Sequence, residues 1–140
     1  MAANHYIDKL GALPLFSSCS KKELARIARA GDEVTVENGK QLVDQGEMGR
    51  EAFVILTGSA VVKRNGRKIA TLGPGDPVGE LSLLDRGPRT ASVFATSDMT
   101  VFVLSTQRFN AVLDEAPGLS RKLLAFLAGR VRDLDTKNFG

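Results

Sequence analysis

The chain has 140 residues, 43% of them hydrophobic, which supplies room and core material for one domain spanning 1–140 and not for two. Its net charge of +3 at pH 7 is scattered among acidic residues rather than gathered in a stripe, so no nucleic-acid partner is indicated. A single histidine, His5, and a single cysteine, Cys19, exclude an internal disulfide. They also leave no metal-ligand set and no nucleophile with its base, so the chain does not read as an enzyme.

The N-terminus, MAANHYIDK, lacks the apolar stretch of a signal peptide, and no apolar run is long enough to cross a bilayer. A cytoplasmic location is expected, in keeping with the lone cysteine. Over 20–29, Leu24, Ile27 and Ala28 recur at helical spacing. Ser20 stands as N-cap, Glu23 as its capping-box partner, and Gly31 as the stop. The pattern then changes to short β-rich runs at 34–36, 42–43, 53–56, 60–62, 69–72, 92–94 and 101–104, separated by glycine and polar turns. Such spacing predicts a sandwich or jelly-roll barrel over about 32–105. Asn65-Gly66 predicts a type I′ hairpin turn, and the basic residues Lys63, Arg64, Arg67 and Lys68 around it read as a solubilising tip.

Helical spacing returns after Ser105, which caps a helix carrying Phe109, Val112 and Leu113. Pro117 starts a second helix with Leu119, Leu123, Leu124, Leu127, Val131 and Leu134 on one broad face. These C-terminal helices are expected over about 106–135, with 136–140 frayed. The predicted fold class is mainly β with flanking helices, namely an N-terminal helix, the barrel and two C-terminal helices.

Residues 79–91, GELSLLDRGPRTA, concentrate the chemistry. A short helical turn opening on glycine exposes backbone N–H groups at Gly79, Glu80, Leu81 and Ser82, where an anion can approach closely. Arg89, after the Gly87-Pro88 bend, adds a full charge and a planar fork that takes two oxygens of one phosphate. Glu80 repels phosphate but accepts from sugar hydroxyls. A phosphate beside a ribose is the implied ligand. One arginine with helix-start amides suits a single phosphodiester charge, and no GxxxxGK loop points to a triphosphate. Leu81, Leu83 and Leu84 read as core contacts of this segment, with Leu83 also at the edge of the pocket.

The same residues resemble the phosphate-binding cassette of the cyclic nucleotide-binding domain family: Gly79-Glu80, Leu81-Ser82-Leu83, a variable link, then Arg89-Thr90-Ala91. Gly46, Gly58, Gly73 and Gly75 match the family's barrel glycines, and the resemblance covers about 15–134. It implies a double-stranded β-helix barrel with a short cassette helix. It also implies a cyclic phosphate held by Arg89, Gly79, Leu81, Ser82, Thr90 and Ala91, with the ribose held by Glu80 and Gly79. In an empty pocket Glu80 is expected to pair with Arg89. Val62 and Ile69, or their strand neighbours, are expected at the purine. Leu83, Thr90, Val131, Leu134 and Asp135 are placed at the base or its lid, which a hinge at 113–119 brings over the base.

Cyclic AMP is favoured over cyclic GMP, because Asp135 can accept from the adenine 6-amino group; Thr90 does not decide the base. No cofactor beyond this ligand is expected. Two departures stand out: Pro77, where a bulky apolar residue is usual, and Ser82, where alanine is usual. The chain ends without the helix-turn-helix that follows this domain in cyclic-nucleotide-dependent transcription factors. A regulatory sensor is therefore expected, acting as a homodimer or through a fused or partner effector domain. The alternative is a barrel that binds no nucleotide and dimerises or docks a partner through its last helix.

Overall fold

The computed structural model describes residues 2–139 apart from Leu81 and Arg86, with side chains described within 6–136. Eight strands form two antiparallel sheets: β1 (Asp32–Val36), β2 (Gln41–Val43), β3 (Glu51–Thr57), β4 (Ala60–Arg64), β5 (Arg67–Leu72), β6 (Pro77–Val78), β7 (Ser92–Ala95) and β8 (Met99–Ser105). Their orders, β1-β8-β3-β6 and β2-β7-β4-β5, are those of a jelly roll, as the resemblance implies. Within β3, Phe53 and Ile55 enter the core between the sheets with Val93, Met99 and Val101. Ala52, Val54 and Leu56 point the other way, joining Phe102 and Leu104 against the helices. The first sheet is thus buried on both faces, which explains the unbroken apolar run FVIL in place of an alternating one.

The helical layer begins with α1 (Ala2–Gly11), a 3₁₀ turn (Pro14–Phe16) and α2 (Lys21–Ala30). Neither α1 nor the 3₁₀ turn is among the predicted elements. Tyr6 of α1 packs on Phe102 with ring centroids 5.0 Å apart, a tertiary contact that short-range spacing does not reveal. The capping box forms as expected: Glu23 N donates to Ser20 Oγ at 3.1 Å and Ser20 N to Glu23 Oε1 at 2.8 Å. Gly31 does end α2, but in extended rather than left-handed backbone. Space decides that glycine, since a Cβ there would overlap the Phe102 ring and lie 2.7 Å from the Val103 carbonyl oxygen.

The Asn65-Gly66 turn closes β4 onto β5 with φ of 53° and 79°, as a type I′ turn requires. Its basic flank is exposed at Arg64, Arg67 and Lys68, as expected, but two of its members also make contacts. Lys63 Nζ sits 5.4 Å from the Phe94 ring centroid, and Arg64 Nε donates to the Thr90 carbonyl at 3.1 Å. Strand β6, which contains Pro77, is not among the predicted elements. It survives at the free edge of its sheet, where one missing N–H breaks no second ladder.

Ala116 alone separates α4 (Thr106–Glu115) from α5 (Pro117–Phe139). The predicted broad face of α5 divides: Leu119 and Leu123 are buried, whereas Leu124, Val131 and Leu134 are exposed. The helix also runs through 136–139, which were expected to fray, because no breaker intervenes before Gly140. Lys122 Nζ fastens α5 to α2 through Glu23 Oε1 at 2.6 Å. That ion pair and the Ser20 amide hold the Glu23 carboxyl below its ordinary range. A carboxyl so lowered stabilises the fold above its unfolded pKa of about 4.3, and the contribution is lost as pH falls through the folded pKa. Glu23→Gln is therefore expected to melt below the parent at neutral pH, with the gap closing as pH falls through the folded pKa, as thermal melts over an acid series will show.

Candidate functional site

The segment entering the site is set by a β-turn at Gly73-Pro74-Gly75-Asp76. Asp76 N donates to Gly73 O at 3.0 Å, Gly73 N donates to the Asp76 carboxylate at 2.8 Å, and Gly75 has φ 90°. Ile55 N then donates to Asp76 O, which seats β6 on β3 and delivers Gly79 at its end. Gly79 turns the chain with φ 68°. From there Ser82 N donates to Gly79 O and Leu83 N to Glu80 O, opening the single helical turn α3 (Ser82–Asp85).

The return path is pinned just as closely. Gly87 N donates to Asp85 Oδ1 at 2.9 Å, and Gly49 N donates to Gly87 O at 3.0 Å. Arg89 N donates to Glu47 O at 2.7 Å, while Gly46 N donates to Arg89 O at 2.8 Å. Arg89 is thus fixed through both its N–H and its carbonyl before its side chain makes any contact. Gln45 and Asn65 exchange two bonds of 2.9 Å, tying this loop to the β4–β5 hairpin.

The Arg89 guanidinium donates from Nη2 to the Glu51 carbonyl at 2.6 Å and from Nη1 to Ser82 Oγ at 3.1 Å. Burial pulls its pKa down, and the Glu51 carboxylate acts against that pull. A guanidinium stays charged regardless. The expected Glu80–Arg89 pair does not form: among the described residues the hydrogen-bond acceptors of the Arg89 guanidinium are both neutral, and the ion pairs lie elsewhere. Neutral acceptors orient the fork without cancelling its charge, so a half-buried cation is left facing the cavity.

That cavity, of about 360 Å³, is lined by Gly79, Glu80, Ser82, Arg89, Thr90 and Ala91 on its polar side and by Val43, Val62, Leu72, Val78 and Val93 on its apolar side. The N–H groups of Gly79, Glu80, Thr90 and Ala91 make no hydrogen bond among the described residues. They remain donors for an anion. The Ser82 N–H does not, since Gly79 O accepts it; it is the Ser82 hydroxyl that reaches Arg89. Leu81 lies outside the described residues, as does the side chain of His5.

Several expected contacts are not brought together. Leu83 turns into the core against the helices rather than the cavity. Val62 lines the cavity, but Ile69, on the edge strand β5, is exposed and does not. Val131, Leu134 and Asp135 sit on the exposed part of α5, away from the cavity lining, because only the first turns of that helix are packed down. Sequence reasoning also missed the Glu51 carbonyl, Gly49 and Arg64. A backbone carbonyl carries no residue-type signal. Gly49, where a Cβ would overlap Ser82 Oγ and come within 3.3 Å of Arg89 Cζ, stands out only once Ser82 is known to point there.

This cradle, with the Arg89 cation, free amides and the Glu80 and Asp85 carboxylates beside an apolar wall, accords with a family-level match: the sequence profile of the cyclic nucleotide-binding domain matches residues 33–116. The chain belongs to that family. Among curated relatives it is 32% identical to the Pycsar effector protein XpPycTIR of Xanthomonas perforans over 81% of the chain and 38% of the relative. It is 31% identical to the cyclic AMP receptor protein of Thermus thermophilus over 87% of the chain and 59% of the relative. The chain therefore spans less than two thirds of either relative's length. The N-terminal domain of a transcriptional regulator from Streptomyces coelicolor A3(2) superposes with TM-score 0.85 at 30% identity, covering 92% of this chain and 96% of that one. As a cyclic nucleotide-binding domain the chain has a cyclic nucleotide as its implied ligand. No described helix is long and apolar enough to cross a membrane.

Proposed function

We propose that this domain is a non-catalytic cytoplasmic sensor that binds cyclic AMP in preference to cyclic GMP and passes the ligand state on through α5. The observation that carries the reading is the Arg89 guanidinium, half-buried, charged and oriented by neutral acceptors at the mouth of the cavity. The cyclic phosphate meets Arg89 and the amides of Gly79, Thr90 and Ala91, and Glu80 takes the ribose 2′-hydroxyl. Leu81, beside them in the cassette, is proposed to add its amide.

The preference for adenine now rests on the apolar wall of Val43, Val62, Leu72 and Val93. Guanine brings more polar edge groups to be desolvated against that wall than adenine does. Asp135, on the exposed stretch of α5, carries none of this preference unless the helix moves. Such movement is the proposed output: α5 hinges at Ala116 and is held mainly by Leu119, Leu123 and the Lys122–Glu23 pair. A ligand shifts that equilibrium only by binding one helix position better than the other.

The exposed Leu124, Val131 and Leu134 favour a further element, a helix-to-helix contact with a second copy or an effector domain. It is compatible with nucleotide binding, whereas a barrel with no nucleotide would leave the Arg89 charge without a purpose. Calorimetric titration with both nucleotides tests the reading, with tighter binding of cyclic AMP and altered hydrogen exchange along α5 at saturation as the expected result. No heat and no thermal shift with either nucleotide would sink it.

A further inference from the structure

We infer that the hydroxyl of Ser82 is itself a ligand for the nucleotide's phosphate, acting together with the Arg89 Nη1 group that it orients. The inference rests on the cassette reading above and goes further than the backbone role that sequence assigns to this position. Ser82 is one of only two buried polar or charged residues among those described. Its amide is already spent on Gly79 O, and its carbonyl accepts from Thr106 Oγ1 at 3.1 Å. Both backbone groups are therefore fixed, and the side chain is the part left to act.

Two missing side chains make the room in which it acts. A Cβ on Gly49 would overlap Ser82 Oγ, and a Cβ on Gly79 would overlap Arg89 Nη1. Between these glycines the hydroxyl oxygen accepts from Nη1 at 3.1 Å. A hydroxyl is one donor and two acceptor sites. With its oxygen engaged by a cation, the proton of Ser82 has no acceptor among the described residues, and the residue lines the cavity. Donation from a hydroxyl polarised by a guanidinium is suited to an anionic oxygen. The Nη1 group and Ser82 Oγ lie side by side, so they address the same exocyclic oxygen of a cyclic phosphodiester. The site thereby distinguishes the two exocyclic oxygens, which are equivalent in charge but not in position.

Ser82→Ala removes the donor and adds no bulk. Calorimetry on parent and variant, with cyclic AMP and the two diastereomers of its phosphorothioate, reads the contact directly, because each diastereomer replaces one exocyclic oxygen with sulfur, a weak acceptor. The variant is expected to bind cyclic AMP about tenfold more weakly, the usual worth of a hydrogen bond to a charged group. That loss should persist for one diastereomer and shrink to within about twofold for the other. Thermal melts verify folding, and Ser82→Cys, of similar size with only a weak donor, should repeat the pattern if alanine fails to fold. Parent-like affinity for cyclic AMP, or an equal loss for all three ligands, overturns the inference and leaves the cassette reading standing. A parent that binds none of the three overturns both.

Discussion

Arg89→Leu should abolish cyclic nucleotide binding while the domain remains folded. The leucine removes the full charge and both fork donors, and it leaves a phosphate to be desolvated against Ser82 and the free amides alone. Losing one partner of a buried charge pair costs on the order of 3 kcal/mol or more, which is at least about a hundredfold in Kd. The unliganded fold has less at stake. Leucine strands the Glu51 carbonyl and the Ser82 hydroxyl, but it also ends the burial cost of a guanidinium that no carboxylate pairs. The two effects oppose, so melts without ligand should differ little between parent and variant. With cyclic AMP at about one hundred times the parent Kd, the parent should gain about 2.7 kcal/mol by mass action and the variant essentially nothing. A variant that keeps the parent's ligand-induced shift would remove Arg89 from the site.

The contrast between what was legible and what was not follows the range over which each feature is determined. The capping box at Ser20 and the Asn65-Gly66 turn depend on residues two or three apart, and both form as read. The family was legible for a related reason: the glycine, glutamate and arginine that carry the resemblance lie within thirteen residues of one another, inside the 33–116 stretch that the family profile matches. Side-chain direction was less accessible. Leu83 is the core contact its spacing predicts but does not reach the edge of the pocket, because α3 is a single turn and the way Leu83 faces is fixed by α4 and β3 packed behind it. The far part of α5 carries apolar residues at helical spacing, which states that a surface exists and not what covers it. Arg64 illustrates the same limit from the other side. A charge run at a hairpin tip reads as solvated, and Arg64 is exposed, but the spacing does not reveal that it also holds the Thr90 carbonyl from 26 residues away in sequence.

Gly79→Ala should lose both affinity and stability, and comparison with Gly39→Ala separates the two causes. Gly79 has φ 68° and Gly39 φ 89°, so alanine at either position incurs the left-handed backbone penalty of about 1–2 kcal/mol. Around Gly39 an added Cβ meets nothing within 4 Å, whereas at Gly79 it overlaps Arg89 Nη1. Chemical denaturation should therefore show a loss of about that size for Gly39→Ala, with binding unchanged. For Gly79→Ala the arginine must leave its place between Ser82 and the Glu51 carbonyl, or the turn into α3 must open. Either response moves the cation away from the amides that share its ligand, and a displacement of about 1 Å at a converging site is enough to cost a large part of its binding. Titration should show Gly79→Ala weakened toward the Arg89→Leu level despite an intact guanidinium. Parent-like affinity in Gly79→Ala would mean that the arginine tolerates displacement, and that the position of its fork, as opposed to its charge, contributes little.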